Sequence, residues 1–142
     1  MKATPPPPWA SLVLDSQGLW AAARNEGTKA KTLVSESRKA RVPIIVPADV
    51  LAETLFGDSR DAQANQLLKK VVIAPTSESI SRAAAKLKRD SGMTGVEATI
   101  DAVVVATSEA AGGGVILTSD PKDIRALADC VSGRRIRPVT VS

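Results

Sequence analysis

"GGVILTSDPKDIRAL", residues 113–127, contains a complete structural unit. Val115-Ile116-Leu117 is a continuous apolar run, the signature of a strand buried on both faces. It stops at Thr118-Ser119-Asp120, and Pro121 follows at a position suited to the first turn of a helix. Asp120 is placed to cap that helix, Asp123 falls in its first turn, and Ile124 and Leu127 lie on one helical face. The unit is therefore strand, acid, helix.

The same alternation runs along the chain. Ser11 to Leu14 is a short apolar run ending at Asp15, with a helix over 19–23, a break at Gly27 and a more polar helix over 28–40 whose buried side carries Leu33 and Val34. Val42 to Val46 predicts a second strand, leading through Pro47 into a helix that reaches Phe56 and Gly57. A helix over 61–70 precedes a third strand, Val71 to Ala74, and Thr76 or Ser77 caps a helix from about Glu78 to Arg89. A very apolar helix over 97–111 ends at Gly112-Gly113-Gly114, and Ile136 to Val141 reads as a fifth strand. Apolar strands separated by helices predict a single α/β domain, a mostly parallel sheet of about five strands covered by helices on both faces.

The chain has 142 residues, which suits one domain. We place it at 11–142, behind a proline-rich tail at 1–10 that includes Pro5 to Pro8. No apolar run is long enough to span a bilayer, and the prolines stand where a signal peptide would need an apolar helix, so a cytoplasmic protein is expected. Cys130 is the single cysteine and histidine is absent, which removes internal disulfides, thiolate metal clusters, imidazole bases and the commonest zinc ligand. Any hydrolytic chemistry must rest on carboxylates, hydroxyls, lysines, arginines and hard metal ions. Net charge is +4; if four carboxylates converged, the remaining surface would be about +8, suited to a polyanion. With two Trp, one Phe and no Tyr, a base-stacking platform of the single-strand-binding kind is not expected.

In open α/β sheets, ligands bind beyond the carboxyl ends of the strands. Asp15 follows the first strand and Asp120 the fourth. Glu53 lies about two turns into the helix after the second strand, and Asp101 one turn into the apolar helix before the fourth. Asp15 and Asp120 could each serve as a helix cap, and Glu53 as a solvated helix residue. Asp101 resists such an explanation, because Ile100-Asp101-Ala102-Val103-Val104-Val105 offers it almost no polar face. A buried carboxylate needs a partner, and Glu97, one turn earlier, has the wrong sign. A divalent cation satisfies all four acids together, and oxygen ligands without His or Cys favour Mg²⁺ or Mn²⁺. Such an ion can orient water and clamp a phosphodiester.

LVLDS (12–16), VPADVLAE (46–53), DAVVVA (101–106) and LTSDPKDIRAL (117–127) together resemble the PIN-domain ribonucleases, especially the toxin half of VapBC-type toxin–antitoxin pairs. The resemblance runs from about Ser11 to the C-terminus. It implies a PIN-like fold and a metal-dependent endoribonuclease leaving a 5′-phosphate and a 3′-hydroxyl. The catalytic acids would be Asp15, Glu53, Asp101 and Asp120; Asp15, Asp101 and Asp120 would hold one Mg²⁺ or Mn²⁺, or two, and Glu53 would bind directly or through water. Asp123 would assist, with Thr118, Ser119 and Ser16 as supporting polar groups. It further implies a toxin acting on RNA, a homodimer, and a cognate antitoxin bound over Leu19, Trp20, Leu55 and Phe56. Ile100 stands where many relatives have histidine. The rival expectation is a catalytically silent α/β binding module whose acidic pocket captures a basic partner segment. The glycine run at 112–114 precedes a strand, so it is no phosphate loop, and Arg134-Arg135-Ile136-Arg137 reads first as a solvated edge strand.

Overall fold

The computed structural model describes residues 9–24, 28–133 and 135–141, with the Thr28 side chain excepted. The tail to Pro8, Gly27 and Arg134 lie outside the described residues. The elements follow the expected alternation: β1 (Leu12–Leu14), α1 (Ser16–Arg24), α2 (Thr28–Lys39), β2 (Ile44–Pro47), α3 (Ala48–Thr54), a 3-10 turn (Ser59–Asp61), α4 (Ala62–Leu68), β3 (Val72–Ala74), α5 (Glu78–Ser91), α6 (Glu97–Ala110), β4 (Gly114–Thr118), α7 (Pro121–Ala128) and β5 (Ile136–Thr140).

The sheet is parallel throughout, in the order β3-β2-β1-β4-β5. The chain lays strands to one side of β1, then crosses to β4 on the other, so the order reverses between these two central strands. A crevice at their carboxyl ends is the natural binding place in such a sheet. Leu12, Val13 and Leu14 of β1 and Ile116 and Leu117 of β4 are fully buried, as is Val46 of β2. Residues from Ala102 to Ser108 of α6 are also buried, which explains why that helix carries so few polar side chains.

Four local details depart from the sequence expectation. The expectation of cover on both faces fails at β3, where Val72 is 52% and Ile73 43% exposed; this edge strand pairs only with β2. The helix after β2 stops at Thr54, short of Phe56 and Gly57. The buried Asp61 carboxylate accepts hydrogen bonds from Phe56 N (2.9 Å) and Gly57 N (2.7 Å), capturing donors the helix would otherwise use. The segment expected as one helix over 61–70 divides into the 3-10 turn and α4. Trp9, placed in the tail by composition, packs on the core, and its indole N–H donates to Ser37 Oγ at 3.1 Å.

The caps behave as the residue types dictate. Ser77 accepts from Ile80 N, and Gly92 ends α5 in the left-handed region (φ 74°). Gly112 and Gly113 adopt φ of 95° and 83°, turning the chain from α6 back into β4.

Candidate active site

Asp15 leaves β1 and enters α1, and it is only 8% exposed. Its backbone N–H donates to Leu117 O across the sheet, and its carbonyl accepts from Leu19 N. Its Oδ1 accepts from Gly18 N at 2.8 Å, so the cap expected of Asp15 is made. Gly18 is the reason α1 can sit there. A Cβ at this position would collide with the Leu117 carbonyl oxygen, so glycine lets the first turn of the helix press against the end of β4. Gly18 was missed as a site residue from sequence; its one signal there is a glycine inside a helical pattern.

Thr118, the last residue of β4, is fully buried and joins the two strand ends. Its hydroxyl hydrogen-bonds the Asp15 carboxylate, and its Oγ1 accepts from Asp120 N at 2.9 Å. Asp120 then caps α7, with Oδ1 accepting from Asp123 N at 3.4 Å and Pro121 in the first turn. Asp123 thereby returns to the same side as Asp120. Ser119 is exposed, as is Glu97 at the start of α6.

Asp101 arrives on α6 from the other side. One carboxylate oxygen each from Asp101, Asp120 and Asp123 lie within 4.8 Å of one another. Asp15 and Glu53 are not in this tight trio, but their charges reach Asp101 as well. Burial raises the Asp101 carboxyl to about 7, with the negative charges of Asp15, Asp120, Asp123 and Glu53 adding in that order. Burial likewise raises Asp15, opposed by hydrogen bonds from Thr118 and the Gly18 and Gln17 amides, with the Glu53 charge adding to the rise. Asp123 is raised first by its hydrogen bond to Asp120, then by desolvation and the charge of Asp120, while Lys122 opposes.

Glu53, near the end of α3, is exposed and accepts a hydrogen bond from Ser16 Oγ. The structure thus brings Asp15, Glu53, Asp101, Asp120 and Asp123 to one end of the sheet, with Ser16 and Thr118 hydrogen-bonded among them. Among the described residues none of these five acids has a Lys or Arg ion pair. Carboxylates crowded in this way, one of them half-buried in an apolar helix, fit a hard divalent cation. Glu53 and Asp120 are the exposed members of the cluster. A cavity of about 550 Å³ at the other end of the sheet is lined by Trp9, Arg135 and Arg137 among others.

The chain belongs to the PIN domain family, whose model matches residues 12–129. PIN domains are nucleases that generally use a divalent metal. Among solved structures, the chain is similar to VapBC2 from Rickettsia felis bound to a DNA fragment from its promoter, at 12% identity and a TM-score of 0.66, covering 91% of this chain and 97% of that one. It is also similar to a toxin–antitoxin complex from Klebsiella pneumoniae (18% identity, TM-score 0.62, covering 93% and 98%). DNA-bound VapBC from Salmonella typhimurium gives 10% identity, a TM-score of 0.62 and coverage of 93% and 98%. At these identities the likeness is one of fold. No curated protein matches the chain by sequence at a significant level.

Proposed function

We propose that this chain is a metal-dependent endoribonuclease, the toxin of a toxin–antitoxin pair. The observation that carries the reading is the acidic cluster itself, in which the charges of Asp15, Glu53, Asp120 and Asp123 all reach Asp101 and none of the five has a Lys or Arg ion pair among the described residues. Asp101, Asp120 and Asp123 are the closest donors for Mg²⁺ or Mn²⁺, and Asp15 completes the set. A bound ion of this kind supplies charge neutralisation and Lewis acidity toward a phosphodiester.

The protein's own groups do the rest. The Gly18 amide and Thr118 hydroxyl hold Asp15 in one orientation, so little reorganisation is left for the reaction. Glu53 stands at the exposed rim, held by the Ser16 hydroxyl, where it can take a proton from the attacking water. Asp120 is fixed by its own role as a cap. The products of this hydrolysis are a 5′-phosphate and a 3′-hydroxyl.

The antitoxin partner is supported by likeness to toxin–antitoxin complexes. A groove of about 300 Å³ between α1, α2 and α4, with Ala22, Ala23, Val34 and Leu67 against Arg38 and Lys70, suits an amphipathic segment carrying acidic groups. A homodimer follows from the same resemblance, with exposed Val72 and Ile73 as its available apolar edge. A cytoplasmic location accords with the finding that, among the described residues, no helix is long and apolar enough to cross a membrane.

The test is cleavage of structured RNA by the purified chain with Mn²⁺ or Mg²⁺ and with EDTA. Metal-dependent cutting is expected. No cutting under any metal, combined with capture of basic peptides by the acidic surface, would instead establish a silent binding module.

A further inference from the structure

The aromatic side chains are few, yet two of the three are found together beside the acids. Trp20 of α1 and Phe56, just beyond α3, have ring centroids 6.3 Å apart, tilted by 48°. The Arg24 guanidinium lies 4.6 Å from the Trp20 ring centroid, and that of Arg60 lies 4.1 Å from that of Phe56. The pair is continuous with the acid cluster. Trp20 lies four residues after Ser16 on α1, about 6 Å along the helix, and Phe56 lies three residues after Glu53. Ser16 and Glu53 are themselves hydrogen-bonded, so the two segments run side by side from the acidic rim to the rings.

The Phe56 ring is also held in place. Phe56 is 55% exposed, yet its own N–H and that of Gly57 are bound by Asp61, a carboxylate only 3% exposed. An exposed apolar ring on a backbone anchored by a buried acid is a presented group. The surface is a poor seat for an apolar helix. Leu19 is fully buried and Leu55 half-buried, which leaves two rings, each lined by a guanidinium. A flat group bearing negative charge nearby is the better complement. Arg60 is already paired with Asp58 at 2.7 Å, but Arg24 has no acidic partner among the described residues.

We infer that Phe56 and Trp20, with Arg24 and Arg60, form a subsite for single-stranded RNA next to the cleavage site. An unpaired base stacks on the ring and guanidinium planes at Phe56, and Arg24 binds a flanking phosphate. The inference rests on the nuclease reading for its substrate, but it can be measured without cleavage.

The probe is a short, uncleavable 2′-O-methyl oligoadenylate, added in EDTA to the full chain carrying Trp9→Phe, so that emission reports Trp20 alone. Saturable quenching is expected. Phe56→Leu, which keeps apolar volume but loses the ring, should weaken binding about tenfold. Phe56→Tyr should restore it. Arg24→Gln should reduce the slope of log affinity against log salt by about 0.7. With Mn²⁺ and cleavable RNA, Phe56→Leu should raise KM with kcat kept.

Absence of quenching, or equal affinity for wild type and Phe56→Leu, overturns the subsite. So does loss of a co-expressed antitoxin complex in these variants while RNA affinity is unchanged, which would make the surface a protein-docking one. If wild type and Phe56→Leu cut RNA alike, the subsite falls and the nuclease stands. If Phe56-dependent binding persists but nothing is cut, the nuclease falls and the subsite stands.

Discussion

Asp120 does two things with one carboxylate. It caps α7, and it sits within 4.8 Å of Asp101 and Asp123. The two roles separate cleanly in Asp120→Asn, because Asn caps about as well as Asp. The fold should persist, and the metal-free protein should melt no lower, since one of several repelling charges is removed. RNA cleavage should fall on the order of 10²-fold or more, and the rise in Tm caused by Mn²⁺ should shrink. Asp101→Asn should behave alike. Unchanged cutting and unchanged metal response in both variants would reduce these acids to structural groups. Gly18 provides the steric counterpart. Gly18→Ala places a methyl against the Leu117 carbonyl, an overpacking cost of roughly 1–3 kcal/mol, so Tm should drop by roughly 3–10 °C and cleavage should fall as Asp15 moves. Wild-type melting in this variant would remove the steric account of how α1 is seated.

At the scale of elements, the end of α3 is decided from outside the helix. Residues 48–57 contain no helix breaker before Gly57, and local propensity favours continuing through Leu55 and Phe56. Asp61 takes the next two backbone donors, with the result that α3 ends at Thr54, Glu53 stays in its last turn and Phe56 turns outward. Asp61→Asn offers one carbonyl oxygen where two carboxylate oxygens are used, losing one part-buried hydrogen bond at a cost of about 0.5–1.5 kcal/mol. Amide exchange at Phe56 and Gly57 should accelerate, with a lower Tm. Unaltered protection of both amides would show that other contacts hold this turn.

Over the whole molecule, the acids make the protein's stability depend on pH in an unusual direction. Asp101 has an ordinary value of 3.8 and a folded value of about 7, so between these the folded state binds the extra proton. Its contribution therefore favours folding at low pH and fades as pH rises through about 7; the upward shift of Asp15 has the same sign. In EDTA, Tm should decline between pH 5 and 7.5 by this contribution, and Asp101→Asn should flatten the slope. Added Mn²⁺ should recover most at the upper end, because the ion competes with the proton for the same oxygens. Melting curves across that range, with and without metal, check both signs. A metal effect that grows as pH falls would remove Asp101 from the ligand set.

The alternation of apolar strands and helices was legible locally, because burial on both faces selects uninterrupted apolar runs such as Val115 to Leu117 and caps are chosen by residues within a turn. The acids could be picked out for a similar reason: Asp15 and Asp120 each follow a strand, Asp101 stands in a helix with almost no polar face, and Glu53 was marked by the motif around it, VPADVLAE. Which acids come close together was decided by the fold. The tight grouping of Asp101 with Asp120 and Asp123 depends on how α6 crosses the end of β4, and Asp15 depends on a glycine that lets α1 approach the sheet. The exposure of β3, the early end of α3 and the meeting of Trp20 with Phe56 are likewise relations between residues distant along the chain. Periodicity within one segment carries no record of them, because they are set by packing among elements.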